Sequence, residues 1–120
     1  MASHNDFGKY AEDKAVEFLQ KKGYVILERN FRYLKAEIDI ISSFNEQLVI
    51  IEVKARKNAY FIEPQEAVSS SKRKLLLKAT DAYVQQNNLD VEVRFDIISF
   101  IGDEKIYTIE HFENAFESIH

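Results

Sequence analysis

The sequence predicts an α/β protein: one mixed central sheet flanked by helices, in the order α-β-β-β-α-β-β-α, within a single domain over residues 1–120. Three observations lead there. Apolar residues recur at helical spacing in two separate stretches, one holding Ala11, Ala15, Phe18 and Leu19, the other Leu75, Leu76, Ala79, Ala82 and Tyr83. Around them lie short Ile- and Val-rich runs bounded by polar turn residues, which read as strands. The chain, at 120 residues, can bury a core of its own, and it has no cysteine for disulfides or a thiolate metal site.

Asn5 or Asp6 can cap the first helix, and Gly23 ends it after Lys21 and Lys22, whose charge suits a helix C-terminus. Tyr24 to Phe31 is the first predicted strand and Glu37 to Ser42 the second, followed by a turn at Ser43-Phe44-Asn45-Glu46. Leu48 to Val53 is the most apolar strand and is expected at the centre of the sheet. Asn58 to Pro64 reads as an ordered loop. The second helix begins either at Pro64, which suits a first turn, or after Ser69-Ser70-Ser71, which can cap a later start. It ends near Asn87-Asn88. Val91 to Ile101 and Lys105 to Ile109 are two further strands, and Glu113 to Ile119 a short closing helix.

Composition narrows the function classes without choosing one. Hydrophobic content of 46% with nine Phe and six Tyr describes a globular protein, and 30% charged residues a soluble one. No apolar run reaches the roughly 18 residues of a membrane span. The first residues lack a basic segment followed by an apolar one, so a cytoplasmic location is expected. Net charge is −4, the wrong sign for a protein that attracts nucleic acid over its whole surface. The basic residues from Arg29 to Lys78 nevertheless leave room for a local basic face, with a solvated mixed surface as the alternative.

The chemistry concentrates between Glu37 and Lys54. Strand periodicity puts Glu37 and Asp39 on one face of the second strand, and Glu52 and Lys54 on one face of the third. If the strands pair as a hairpin, these charges converge among apolar neighbours, an expensive arrangement unless a cation or a substrate compensates. Asp39 and Glu52 offer the hard oxygens that Mg²⁺ prefers, with the Val53 carbonyl as a further donor. An ion there would polarise a phosphate and activate water, and Lys54 could orient that water and offset developing charge. The alternative is a cross-strand salt bridge on a solvated face, which the flanking Val49, Ile50, Ile51 and Val53 disfavour.

Asp39 followed by Glu52-Val53-Lys54 resembles the PD-(D/E)xK nuclease motif in the variant of Holliday-junction resolvases. Gly8, Ala11-Glu12, Ala15, Gly23-Tyr24, Arg29-Asn30, Glu37-Ile38-Asp39-Ile40, Glu52-Val53-Lys54-Ala55-Arg56 and Arg94-Phe95-Asp96 occur in order. Together they look like the UPF0102 (YraN-like) bacterial family, from about Gly8 to Phe116. The resemblance implies a restriction-endonuclease-like core, with Asp39 and Glu52 as metal ligands, Lys54 as the catalytic lysine and Glu12 as a further acid at the metal. It also implies Mg²⁺, replaceable by Mn²⁺, as cofactor, branched or structured DNA as partner, and a homodimer. The implied activity is a metal-dependent endonuclease; the alternative is a non-catalytic nucleic-acid-binding module of the same fold. Ala36 stands where the family usually has glycine, which would strain the turn if that position had positive φ.

The remaining candidates are peripheral. Glu37 is expected to support the site as a partner of Arg56, and Glu12 has plain helix surface as its alternative. Arg56 continues the Glu52 and Lys54 face and could touch a phosphate or form an ion pair. Lys72 and Arg73 open the second helix, where a cation could meet a DNA backbone. Gln65 and Glu66 are weak candidates for further polar contacts, and Tyr60 and Phe61 for base stacking. Asp96 is read as an ion-pair partner of Arg94 in the same strand, and His4, His111 and His120 have no ligand spacing.

Overall fold

A computed structural model describes residues 4–58 and 68–116 of the chain. The predicted loop with Tyr60, Phe61 and Pro64, the candidates Gln65 and Glu66, and residues 117–120 lie outside the described residues. The elements are α1 (His4–Lys21), β1 (Val25–Tyr33), β2 (Ala36–Phe44), β3 (Gln47–Arg56), α2 (Ser70–Gln86), β4 (Glu92–Gly102) and β5 (Tyr107–Phe112). They form one five-stranded mixed sheet in the order β1-β2-β3-β4-β5. Only β3 and β4 run parallel, and α2 is the crossover between them.

Each helix covers one face. Ala15, Val16 and Leu19 of α1 pack with Ile40, Val49, Ile51 and Ile98. On the other face, Leu76, Ala79 and Tyr83 of α2 pack with Ile38, Ile41, Leu48, Ile50, Phe95 and Ile97. β3 supplies apolar residues to both clusters, which is why its sequence lacks alternation.

Both helices end in the same way. At Gly23, φ is 95°, the Gly23 N–H donates to Gln20 and the Tyr24 N–H to Leu19, each at 3.0 Å. At the end of α2, Asn88 takes the left-handed position (φ 54°) while Asn88 and Leu89 donate back to Gln85 and Val84. The N-terminus of α2 resolves the choice between two starts: Ser69 is the cap, its hydroxyl accepting the Lys72 N–H at 3.2 Å. α1 already includes Asn5 and Asp6, so neither caps it, although Asp6 in the first turn still complements the helix dipole.

The turn between β2 and β3 is tighter than predicted. Phe44 pairs with Gln47, and Asn45 and Glu46 both have positive φ (49° and 66°), the geometry of a two-residue type I′ hairpin. In the turn before β2, the left-handed residue is Leu34 (φ 56°), and Ala36 lies in β2, buried and paired with Tyr33. Alanine there carries no backbone strain. β5 starts two residues later than expected because the Asp103 carboxylate accepts the N–H groups of Lys105 and Ile106, holding them in the turn.

The predicted closing helix is corrected in its described part. Glu113 to Phe116 form turns, since the Asn114 N–H donates to the Asp96 carboxylate and the Ala115 N–H to the Phe95 carbonyl. Asn114 takes a left-handed φ of 50° to make its bond, and that conformation breaks the helical backbone at the second residue. Among the described residues, no helix is long and apolar enough to cross a membrane.

Candidate active site at a fork in the sheet

Pairing between β2 and β3 runs from Phe44↔Gln47 only as far as Ile40↔Ile51. Continued, the register would set Ile38 opposite Val53. The strands part there instead, and the Asp39 carboxylate accepts the Val53 N–H at 2.8 Å. Alternation slips at the same point, because Ile38 packs under α2 and Ile40 under α1. Asn30 of β1, facing this stretch, takes a positive φ of 54°. The result is a fork, with β3 continuing on β4 as far as Arg56↔Ile101 while its other edge has no strand partner among the described residues.

Asp39 sits in the crotch of this fork and is reached from both sides of the sheet. A cleft of about 670 Å³ on the α1 side is lined by Glu12, Arg29, Asn30, Glu37, Asp39 and Val53 among others. A cleft of about 420 Å³ on the α2 side is lined by Glu37, Asp39, Glu52, Ser69, Ser71 and Lys72 among others.

Glu52 is the costly residue. It is 1% exposed, lies within hydrogen-bonding reach of Asp39, and one of its carboxyl oxygens, Oε1, has no hydrogen-bond partner among the described residues. Lys72 reaches down from α2 to put its Nζ 3.6 Å from Glu52 Oε2. Burial pushes the Glu52 carboxyl up to about 9, with the charge of Asp39 adding to the effect and those of Lys72 and Lys54 opposing it. Around neutral pH Glu52 therefore keeps its proton. Lys54 is half-buried beside them, and burial together with the ammonium of Lys72 holds its pKa below the usual lysine value.

The sequence-predicted residues divide clearly. Asp39, Glu52, Lys54 and Lys72 come together. Glu12 approaches Asp39 from the α1 face, where burial raises its pKa against the opposing pull of Arg29, and its carboxylate is held by Arg29 at 2.9 Å and Asn30 at 3.0 Å. Glu37 pairs with Arg32, its cross-strand neighbour, at 2.8 Å and not with Arg56, because adjacent strands bring Arg32 opposite it. Arg56 makes no ion pair among the described residues. Arg73 turns away from the cleft: its Nε donates to the Val68 carbonyl at 3.1 Å and its guanidinium lies over the Phe116 ring. Among the described residues, no three His, Asp or Glu side chains form a ready-made ion cage. Two carboxylates and the orphaned Glu52 oxygen nevertheless fit a hard divalent ion completed by water and substrate.

A second buried charge cluster enlarges the Arg94–Asp96 ion pair expected from the sequence. Asp96, fully buried, accepts two bonds from Arg94 (2.9 and 2.8 Å), one from the Asn114 N–H and one from His111 Nε2 at 2.7 Å. Burial would raise its carboxyl, and these donors outweigh burial and hold it below the ordinary value. Lys22 Nζ lies 2.7 Å from His111 Nδ1, and since an ammonium can only donate, the histidine hydrogen is on Nε2. The Arg94–Asp96 ion pair was legible from their spacing. His111 had no such signal, since it arrives from β5 by topology alone.

With the geometry established, relatives become informative. The sequence model of the Uncharacterised protein family UPF0102 matches residues 11–100. A UPF0102 protein of Flavobacterium psychrophilum is 55% identical, covering 97% of this chain and 98% of its own. UPF0102 proteins of Christiangramia forsetii and Phocaeicola vulgatus are 47% and 45% identical, again over 97% of this chain and 98% and 96% of theirs. By family match and by near full-length identity alike, the chain belongs to the UPF0102 family.

Proposed function

We propose that this protein is a metal-dependent nuclease of the PD-(D/E)xK kind that cuts phosphodiester bonds in branched or otherwise structured DNA. The observation that carries the reading is the fork itself. It buries Glu52 against Asp39, leaves Oε1 without a partner among the described residues and sets two lysines beside them, an arrangement that costs stability and returns no packing.

Asp39 and Glu52 would hold Mg²⁺ or Mn²⁺, which when bound supplies Lewis-acid polarisation of the phosphate and activation of water. Asp39 is already oriented for this by the Val53 N–H, which fixes Oδ2 and leaves Oδ1 directed elsewhere. Lys54, whose pKa burial lowers, would give up a proton more readily than an ordinary lysine and is suited to face a phosphate oxygen. Glu12, held by Arg29 and Asn30, lies across Asp39 as an acid that can act through an intervening water. Lys9, Lys35, Arg56 and Lys72 lie in or beside the clefts and give this region a local basic rim despite the net charge of −4.

A second reading, a DNA-binding module of the same fold without turnover, is favoured by the lack of a three-ligand cage among the described residues. Incubation with four-way junction, flap, single-stranded and linear DNA, with Mg²⁺ or Mn²⁺, separates the two. Cleavage lost in Asp39→Ala and Lys54→Ala supports the nuclease. Binding without cleavage in any metal supports the module, and cleavage that survives both substitutions removes the site assigned here.

A further inference from the structure

We propose that Lys72 is an internal competitor for the metal: its ammonium occupies the place beside the Glu52 carboxyl while no ion is bound, and leaves for the nucleic-acid phosphate when one enters. This rests on the nuclease reading of the fork.

The geometry is specific. Lys72 Nζ lies 3.6 Å from Glu52 Oε2, beyond an ordinary hydrogen bond but within the reach of a charge. Ser69 fixes the backbone of Lys72 at the first turn of α2, so the side chain alone decides where the ammonium goes. That side chain is 40% exposed against 2% for Glu52, so one end of the pair can move into solvent and the other cannot. Lys54 also crowds the same point, within hydrogen-bonding reach of Lys72. A divalent ion on Glu52 would bring two further positive charges to a place that already holds two ammonium groups. Lys72, with its side chain 40% exposed and no backbone movement needed, is free to yield into solvent.

Two consequences follow by linkage. With Lys72 in place, the metal is bound weakly in the absence of DNA. A phosphate that draws Lys72 off Glu52 strengthens metal binding, and metal strengthens DNA binding by the same factor. The lysine would thus make an ion-loaded site depend on the presence of substrate.

The test uses the full-length chain and Mn²⁺, with free ion followed by electron paramagnetic resonance, with and without a four-way DNA junction. Lys72→Met should bind Mn²⁺ roughly tenfold more tightly than wild type without DNA, about 1.4 kcal/mol, and the factor by which the junction tightens Mn²⁺ should shrink. Lys72→Arg, which keeps the charge, should behave like wild type. Lys72→Met with unchanged or weaker Mn²⁺ affinity, or with an undiminished junction effect, overturns the inference while leaving the nuclease reading intact. Mn²⁺ binding that is absent, or that survives Asp39→Asn, overturns both.

Discussion

Replacing Glu52 with glutamine should stabilise the protein at neutral pH, and the size of the gain follows from where the carboxyl sits. In the folded chain its pKa is raised from 4.5 to about 9, by burial first and by Asp39 second. A group raised in this way contributes stability that is fully present below its unfolded pKa and is lost as pH climbs through the folded one. Each pH unit inside that window costs about 1.36 kcal/mol. At pH 7, about 2.5 units above 4.5, the wild type has given up about 3 kcal/mol, and near pH 9 at most about 6. An amide has no such window, and its N–H can replace the carboxyl proton toward Asp39. Urea denaturation of wild type and Glu52→Gln at pH 5, 6, 7 and 8 reads this directly. With a urea slope of ~1–3 kcal/mol/M, the variant's midpoint should match wild type near pH 5 and exceed it by on the order of 1–2 M at pH 7. A difference that stays constant from pH 5 to 8 would mean Glu52 is ionised in the fold, paired with Lys72 and Lys54, and the reasoning would fail.

Other expectations are independent of metal. Asp96→Asn takes from the Arg94 guanidinium, 13% exposed, its buried counter-charge, leaving only the exposed Glu113 at 3.4 Å, and should cost about 3–5 kcal/mol by the same denaturation assay; a loss under ~1 kcal/mol would show that His111 and Asp96 are dispensable to that cluster. Glu46→Gly should stabilise by up to ~1 kcal/mol, because position 46 already has φ 66° in the type I′ turn. Ala36→Gly should destabilise by about 1 kcal/mol, since Ala36 is a buried strand residue whose φ is not positive, and a gain in stability would contradict that geometry. Lys72→Met should move the titration of Lys54 upward, since the Lys72 ammonium now depresses it, and a downward shift in the NMR titration of its side chain would refute the contact.

What could be read from the chain beforehand was whatever depends on local pattern. Leu48 to Val53 announced a central strand because burial on both faces leaves no polar alternation to conceal it. Gly23 and Ser69 marked helix ends because each has one conformational or hydrogen-bonding job. The acids at positions 39 and 52 were legible for the converse reason: nothing in an apolar hairpin calls for them. The misses depend on contacts between distant segments. The predicted partnership of Glu37 with Arg56 assumed a ladder that continues past Ile40; the fork ends it, and the nearer Arg32 of β1 takes the carboxylate. Arg73 looked available for phosphate until Val68 and Phe116 claimed it. Glu113 to Phe116 had helix-compatible residues, but Asn114 takes a left-handed φ of 50° to donate to Asp96, which no local pattern announces.

The fork ties these observations to one cause. A continuous β2–β3 ladder would pair the Val53 N–H with a backbone carbonyl and bury position 39 on one face or the other. Slippage between Ile38 and Ile40 removes that carbonyl, and a side-chain acceptor is needed to satisfy the freed N–H. A hydroxyl or an amide could do that alone. Only an acid satisfies it and also raises the neighbouring Glu52, because the charge that accepts from Val53 is the charge that repels a second carboxylate. Asp39→Asn therefore has two signatures that separate backbone repair from electrostatics. The amide oxygen still accepts from Val53, so the strand end should hold and hydrogen exchange at that N–H should change little. Glu52 loses a negative neighbour, so its pKa should fall and the gain from Glu52→Gln at pH 7 should shrink in the Asp39→Asn background. If exchange at Val53 accelerates while the Glu52 gain is unaltered, Asp39 is a structural cap and the coupling between the two acids does not exist.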